Sequence, residues 1–195
     1  MRQKIIETSI QLFDQNGFKS TSINDIVQLM GVTKGTFYYY FTSKEELLKD
    51  IQLTYIKDLI KQQEVILRCP KTNISSKLFE IIYMIMKNIK TQRQSARIFS
   101  REMRHLSIMN LEDIHKKRNL FRYNTQMLIE EGIKTGEFKA NLRADIITFG
   151  ILGSTNWSYY WFNTEGEVSE EKVAKIYLDM ILNGIKESSL SSFKK

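Results

Sequence analysis

Ile5, Ile6, Ser9, Ile10, Leu12 and Phe13 recur at intervals of three and four, the repeat of a helix with one apolar face, and Asn16-Gly17 closes it. Either Thr21 or Ser22 can cap a second helix that has Asn24 and Asp25 in its first turn. Its inward positions are Ile23, Ile26, Val27 and Met30, and Gly31 ends it. After Gly31-Val32, the Thr33 hydroxyl can open a short third helix through Gly35, Phe37, Tyr38 and Tyr39. Ser43 and Glu46 have capping-box spacing and start a fourth helix reaching about Leu67.

Cys69 to Asn73 breaks the pattern, which resumes from about Ser75 through Phe79, Ile82, Met86 and Ile89. Further helical runs are predicted over about 95–107, 110–134, 143–162 and 169–187. Turn signals stand at Asn110, Gly136, Asn141 and Glu165-Gly166, and the Ser/Lys tail after Glu187 reads as frayed. No internal repeat is present. The pattern predicts an all-α chain.

Composition supports long helices joined by short turns, because one proline and nine glycines in 195 residues leave little punctuation for sheets. With 42% hydrophobic residues the chain can bury a sizeable core. The lone Cys69 cannot form an internal disulfide, no secretory leader is recognisable and no apolar run approaches a membrane span; the expected location is cytoplasmic. The net charge of +7 suggests a polyanionic partner, yet residues 1–50 hold six basic and six acidic side chains. Net charge therefore does not locate the contact surface for such a partner, and the placement of a few residues must.

Two short helices joined by a tight glycine turn form a helix-turn-helix, whose second helix enters the major groove by its N-terminal end. Lys34, Thr36, Tyr38 and Tyr39 are placed for bases or backbone, Gly35 allows close approach, and Thr33 and Thr36 can donate to phosphate. Ser22 and Asn24 can serve phosphate at the preceding helix, and Lys44 at the start of the fourth. A buried aromatic cluster is the plainer account of residues 37–41. Five consecutive aromatics cannot share one helix side, so Phe37 and Phe41 read as core and some tyrosines as exposed.

The ordered set Gly17-Phe18, Thr21-Ser22-Ile23, Ile26, Gly31 to Phe41 and Lys44 to Leu48 resembles the N-terminal domain of the TetR family of bacterial repressors. The resemblance implies a helix-turn-helix DNA-binding domain over 1–47 and a helical ligand-binding and dimerisation domain over 48–195. It also implies a homodimer on a palindromic double-stranded operator, released by a small-molecule effector. Segment 145–162, apolar nearly all round, and the final helix (Val173, Ile176, Tyr177, Met180, Ile181, Ile185) would then form a four-helix interface across a two-fold axis.

Gly153-x-x-Asn156-Trp157-x-x-x-Trp161-Phe162 is similar to a segment of family members that respond to acyl-CoA thioesters. Lys87, Lys90, Arg93, Arg97, Arg101 and Arg104, if on one continuous helix, share an arc of about 120° suited to CoA phosphates, to solvent or to accessory DNA contact. A helix break near Gln94 would destroy it. Arg93, Arg97, Arg101, Met103, Trp157 and Trp161 are the candidate ligand residues, and a flat drug stacked on Trp157, Tyr159 and Trp161 is the other ligand reading. His105, His115 and Cys69 have no partner set for metal binding or nucleophilic catalysis, so no enzyme and no cofactor is expected. A helical protein-interaction module without DNA binding is the remaining alternative. In the regulatory reading, the effector favours the DNA-incompetent arrangement and the helix over 44–67 transmits the difference.

Overall fold

The computed structural model describes residues 1–70 and 72–183. It is all-α, with helices α1 (Arg2–Asn16), α2 (Ile23–Met30), α3 (Lys34–Tyr40), α4 (Lys44–Leu67), α5 (Ile74–Thr91), α6 (Arg93–Arg101), α7 (Ile108–Lys134), α8 (Ala144–Trp161) and α9 (Glu170–Asn183). A 3-10 turn, Met103–His105, links α6 to α7. Among the described residues no helix is long and apolar enough to cross a membrane. The end of the final helix expected over 184–187, Ile185 and the Ser/Lys tail lie outside the described residues.

The chain folds as two compact units, one of residues 1–62 with 91–121 and one of 63–90 with 122 onward. A functional boundary at residue 47 therefore differs from the division by compactness, in which α4 and α7 supply residues to both units. In the first unit, α1, α2 and α3 close on a core of Ile5, Phe13, Ile26, Phe37, Leu47 and Ile98. Phe13 and Phe37 are fully buried, and each such ring is worth roughly 3–5 kcal/mol against truncation to alanine. The second unit buries Leu78, Ile81, Ile82 and Met86 of α5 with Leu128 and Ile129 of α7.

Helix starts and stops follow local chemistry. Ser22, rather than Thr21, caps α2: its hydroxyl accepts from Asp25 N–H at 3.1 Å while the Asp25 carboxylate accepts from Ser22 N–H at 2.7 Å. Thr21 is buried, and its hydroxyl donates to the Gly17 carbonyl at 3.0 Å. Gly31 takes φ 67°, and Val32 N–H reaches back to the Val27 carbonyl, the left-handed ending that lets α3 follow at once. The Thr33 hydroxyl does not cap α3; it lies 3.4 Å from the Thr36 hydroxyl and stays exposed.

Two expected boundaries move. The run over 95–107 is α6 followed by the 3-10 turn, and Gln92, at φ −128° and ψ 38°, separates α5 from α6 without a glycine or proline. Asn110 is not a turn but sits in the first turn of α7, where its amide donates to Glu45 at 2.7 Å.

Candidate nucleic-acid interface

α3 is fixed from below by Phe37, which has no exposed surface, and by Phe41 at its C-terminal end. Residues at 100° intervals around so short a helix must alternate between core and solvent. Lys34, Gly35, Tyr38 and Tyr39 accordingly face outward, with Tyr39 81% and Tyr38 53% exposed. The tyrosine rings are supported edge-on, Tyr38 by Phe37 at 5.6 Å and Tyr39 by Tyr40 at 4.8 Å. An exposed, braced phenol with a hydroxyl at its tip is a stiff probe for a groove or a phosphate. Thr33 and Asn24 are exposed, Thr36 is half-buried, and Ser22 is exposed but its hydroxyl also donates to Asp25 at 2.8 Å.

Lys44 does not present its charge to the surface as expected. Its ammonium donates to the carbonyls of Phe18 at 2.6 Å and Thr21 at 2.5 Å and lies 4.3 Å from the centre of the Phe18 ring. Burial pulls its pKa down, opposed by the nearby Asp25 carboxylate. Lys44 thus fastens the start of α4 to the loop between α1 and α2.

The expected basic arc also fails, because the break at Gln92 ends α5 and leaves Lys87 and Lys90 in the second unit and the arginines in the first. Arg97 grips the Asp14 carboxylate of α1 through Nε, at 2.7 Å, and Nη2, while Arg101 donates to it at 3.2 Å. Asp14 keeps only 4% of its side-chain surface. Lys90 pairs with Glu170 at 2.9 Å. Arg93 is half-buried with an unpartnered Nε, and Met103 is half-buried with its sulfur 3.5 Å from Arg118. Periodicity within one segment carries no sign of the Asp14 clamp, which pairs residues 83 apart.

Trp157 and Trp161 are 63% and 51% exposed, so neither lines an enclosed pocket within its unit. With Ile146, Phe149 and Tyr160 they occupy about 120° of the α8 circumference. Gly150 and Gly153 lie in the same arc, where an added Cβ would meet nothing within 4 Å. The inward side carries Ile151 and Tyr159 together with small polar residues. The buried hydroxyls of Thr148 and Thr155 donate to carbonyls four residues back, at 2.7 and 2.8 Å, and Ser158 lies 2.8 Å from the Tyr177 hydroxyl. No group of three metal-ligating side chains occurs among the described residues.

Comparison with known proteins finds matches to both parts of the chain. Residues 5–51 match the family described as bacterial regulatory proteins, tetR family, and residues 71–185 match the tetracyclin repressor-like C-terminal domain. The HTH-type transcriptional repressor KstR2 of Mycolicibacterium smegmatis is 25% identical over 189 residues, 96% of this chain and 91% of that protein. The TetR family transcriptional regulator PfmR of Thermus thermophilus superposes with a TM-score of 0.86 at 26% identity, covering 93% of this chain and 98% of that one. The structure of AibR in complex with isovaleryl coenzyme A and operator DNA superposes with a TM-score of 0.82 at 21% identity, over 93% and 97% of the two chains.

Proposed function

The chain belongs to the TetR family of bacterial regulatory proteins, a family of DNA-binding transcription regulators, and we propose that its own geometry makes it an effector-released repressor acting as a homodimer on a palindromic operator. The observation that carries this reading is the outward face of α3, with Lys34, Tyr38 and Tyr39 exposed over a fully buried Phe37. Thr33, Thr36, Ser22 and Asn24 supply phosphate contacts, Gly35 lets the backbone approach, and Lys44 acts by holding the loop beneath them. The cytoplasm is its place of action, and its task is binding rather than catalysis.

The outward faces of α8 and α9, with Trp157, Trp161, Ile176 and Met180, supply the dimer contact. AibR is named as a complex with an acyl-CoA and operator DNA, and an acyl thioester is the effector class proposed here. Release requires the effector to bind the DNA-incompetent arrangement more tightly. The route to the DNA-contacting half runs through α6, whose Arg97 and Arg101 hold Asp14 of α1.

Retention of random duplexes at about 0.15 M salt, followed by sequencing, tests this reading, since weak non-specific contacts fade there. A palindrome is expected, and Lys34→Ala and Tyr39→Ala should each weaken binding to it roughly tenfold, the size of one lost base or phosphate contact. Recovery of no preferred sequence, or wild-type retention by both variants, would overturn it in favour of a protein-interaction module.

A further inference from the structure

Residues 16–20, between α1 and α2, and the turn after α6 line one cleft of about 520 Å³ within the first unit. Phe18 and Glu102 are buried beneath it, while Asn16, Lys19, Ser20 and Arg104 are exposed around it. His105 stacks on Phe18 with ring centres 5.7 Å apart and so joins the two walls. The acid of the set is recessed: Glu102 keeps 7% of its side-chain surface, and a carboxylate oxygen lies 3.3 Å from His105 Nε2. Arg104 Nε lies 3.4 Å from the same nitrogen. Among the described residues no carboxylate pairs with Lys19 or Arg104. Both, with Lys44, stand close enough to His105 to oppose its protonation, so positive charge converges on the cleft.

Other cations of this unit are tied to acids, Arg97 and Arg101 to Asp14, Lys49 to Asp113 and Arg2 to Asp50. A cleft that gathers unpaired charge of one sign concentrates its field and draws a counter-ion. Its position says which one. The wall formed by residues 16–20 runs directly into Ser22, the cap of α2. Two residues of chain carry Ser20 to Ser22, a span of at most about 7 Å, while the phosphates of one strand follow each other at about 3.4 Å of axial rise. A strand that meets Ser22 therefore carries neighbouring phosphates past Lys19 and Ser20.

We propose that this cleft receives a backbone phosphate of the operator, held by Lys19 before α2 and Arg104 after α6, with Asn16 and Ser20 as neutral donors. The proposal rests on the DNA-binding reading above and adds a contact made from outside the helix-turn-helix. A guanidinium and an ammonium at one cleft supply charge-assisted donors suited to phosphate oxygens, and the same pair repels a cation. Such a contact fixes the position of the protein on the duplex and carries no base sequence. Arg104 follows α6 directly, and α6 holds Asp14 through Arg97 and Arg101. An effector that moves α6 would thus withdraw a DNA contact at first hand.

The test measures the affinity of the full chain for its selected palindrome from about 50 to 200 mM salt. Each phosphate contact contributes about 0.9 to the slope of log affinity against log salt. Lys19→Ala combined with Arg104→Ala should therefore make the slope of a dimer shallower by about two and weaken binding tenfold or more at about 0.1 M. The loss should be equal for the palindrome and for single-mismatch versions of it, with the melting temperature unchanged. Lys19→Gln and Arg104→Gln, made singly, serve if the double variant does not fold. A neutral methylphosphonate placed at each backbone position in turn should weaken wild-type binding at one position per half-site and leave the double variant unaffected there. An unchanged slope, or the same methylphosphonate profile in wild type and variant, would overturn the proposal. So would binding of inorganic phosphate or coenzyme A by the DNA-free chain, lost in a double variant of wild-type slope, which would assign the cleft to a free anion. Failure of the wild type to select any duplex would instead overturn the regulatory reading.

Discussion

Asp14 shows how far a single residue's role can stand from its appearance in the chain. On α1 it is one polar position on an otherwise solvated face, and local pattern gives it no task. Folding brings Arg97 and Arg101 onto its carboxylate and nearly removes it from water. The two arginines keep 30% and 35% of their side-chain surface, so the pair is screened on the cationic side only. Asp14→Asn keeps the shape but leaves two guanidiniums without their anion, and should lower stability by about 1–3 kcal/mol in urea unfolding. If α6 is the route from effector to operator, the same variant should also shrink the effect of ligand on operator affinity. A loss below about 0.5 kcal/mol with full ligand response would reduce the clamp to an ornament. Lys44 teaches the same lesson: its position at a helix start was legible, but its two carbonyl acceptors 23 and 26 residues away were not.

At the scale of elements the chain was most legible where side chain and backbone settle the matter within a few residues. α4 begins and ends where the capping box and the Cys69-Pro70 break place it, and the Gly31 turn lies between α2 and α3 as read. The break at Gln92 falls in the gap that the pattern leaves between the runs ending near Ile89 and beginning near 95, although no glycine or proline marks it. Carboxylates that start helices recur throughout. Asp25 accepts from Ser22 at α2, Glu46 from Thr42 before α4, Glu45 from Asn110 and Ser107 at α7, and Glu137 from Ser75 and Ile74 at α5. Those hydrogen bonds hold all four carboxyls below their ordinary range. A depressed folded pKa contributes stability that is complete above the unfolded value, near 4, and is lost as pH falls toward the folded one. The urea midpoint should therefore be flat from about pH 7 to 5 and decline below about 4. Replacing Asp25, Glu45, Glu46 and Glu137 with their amides together should flatten the decline; an unaltered acid limb would assign it to other groups.

For the whole molecule the decisive feature is the outward face of α8, which carries large apolar side chains while Thr148, Thr155 and Ser158 turn inward beside Ile151 and Tyr159. A helix in a finished monomer seldom leaves a second, apolar face in water, since exposed indoles cost much. The inward hydroxyls are tolerated because each returns to a carbonyl one turn back, keeping the face flat. The outward rings flank the bare patch at Gly150 and Gly153, against which a facing helix can pack closely. The symmetric partner for such a surface is a second copy of itself, and about 800 Å² per subunit is needed for a stable pair. Trp157→Glu places a charge at the centre of that face without touching the inward side. The variant should sediment as a folded monomer with unchanged helicity, and its operator affinity should fall by about 10²–10⁴-fold, the avidity lost when two half-sites are no longer held together. A Trp157→Glu protein that remains dimeric would move the interface elsewhere, and leave the exposed rings of α8 as a surface for a different partner.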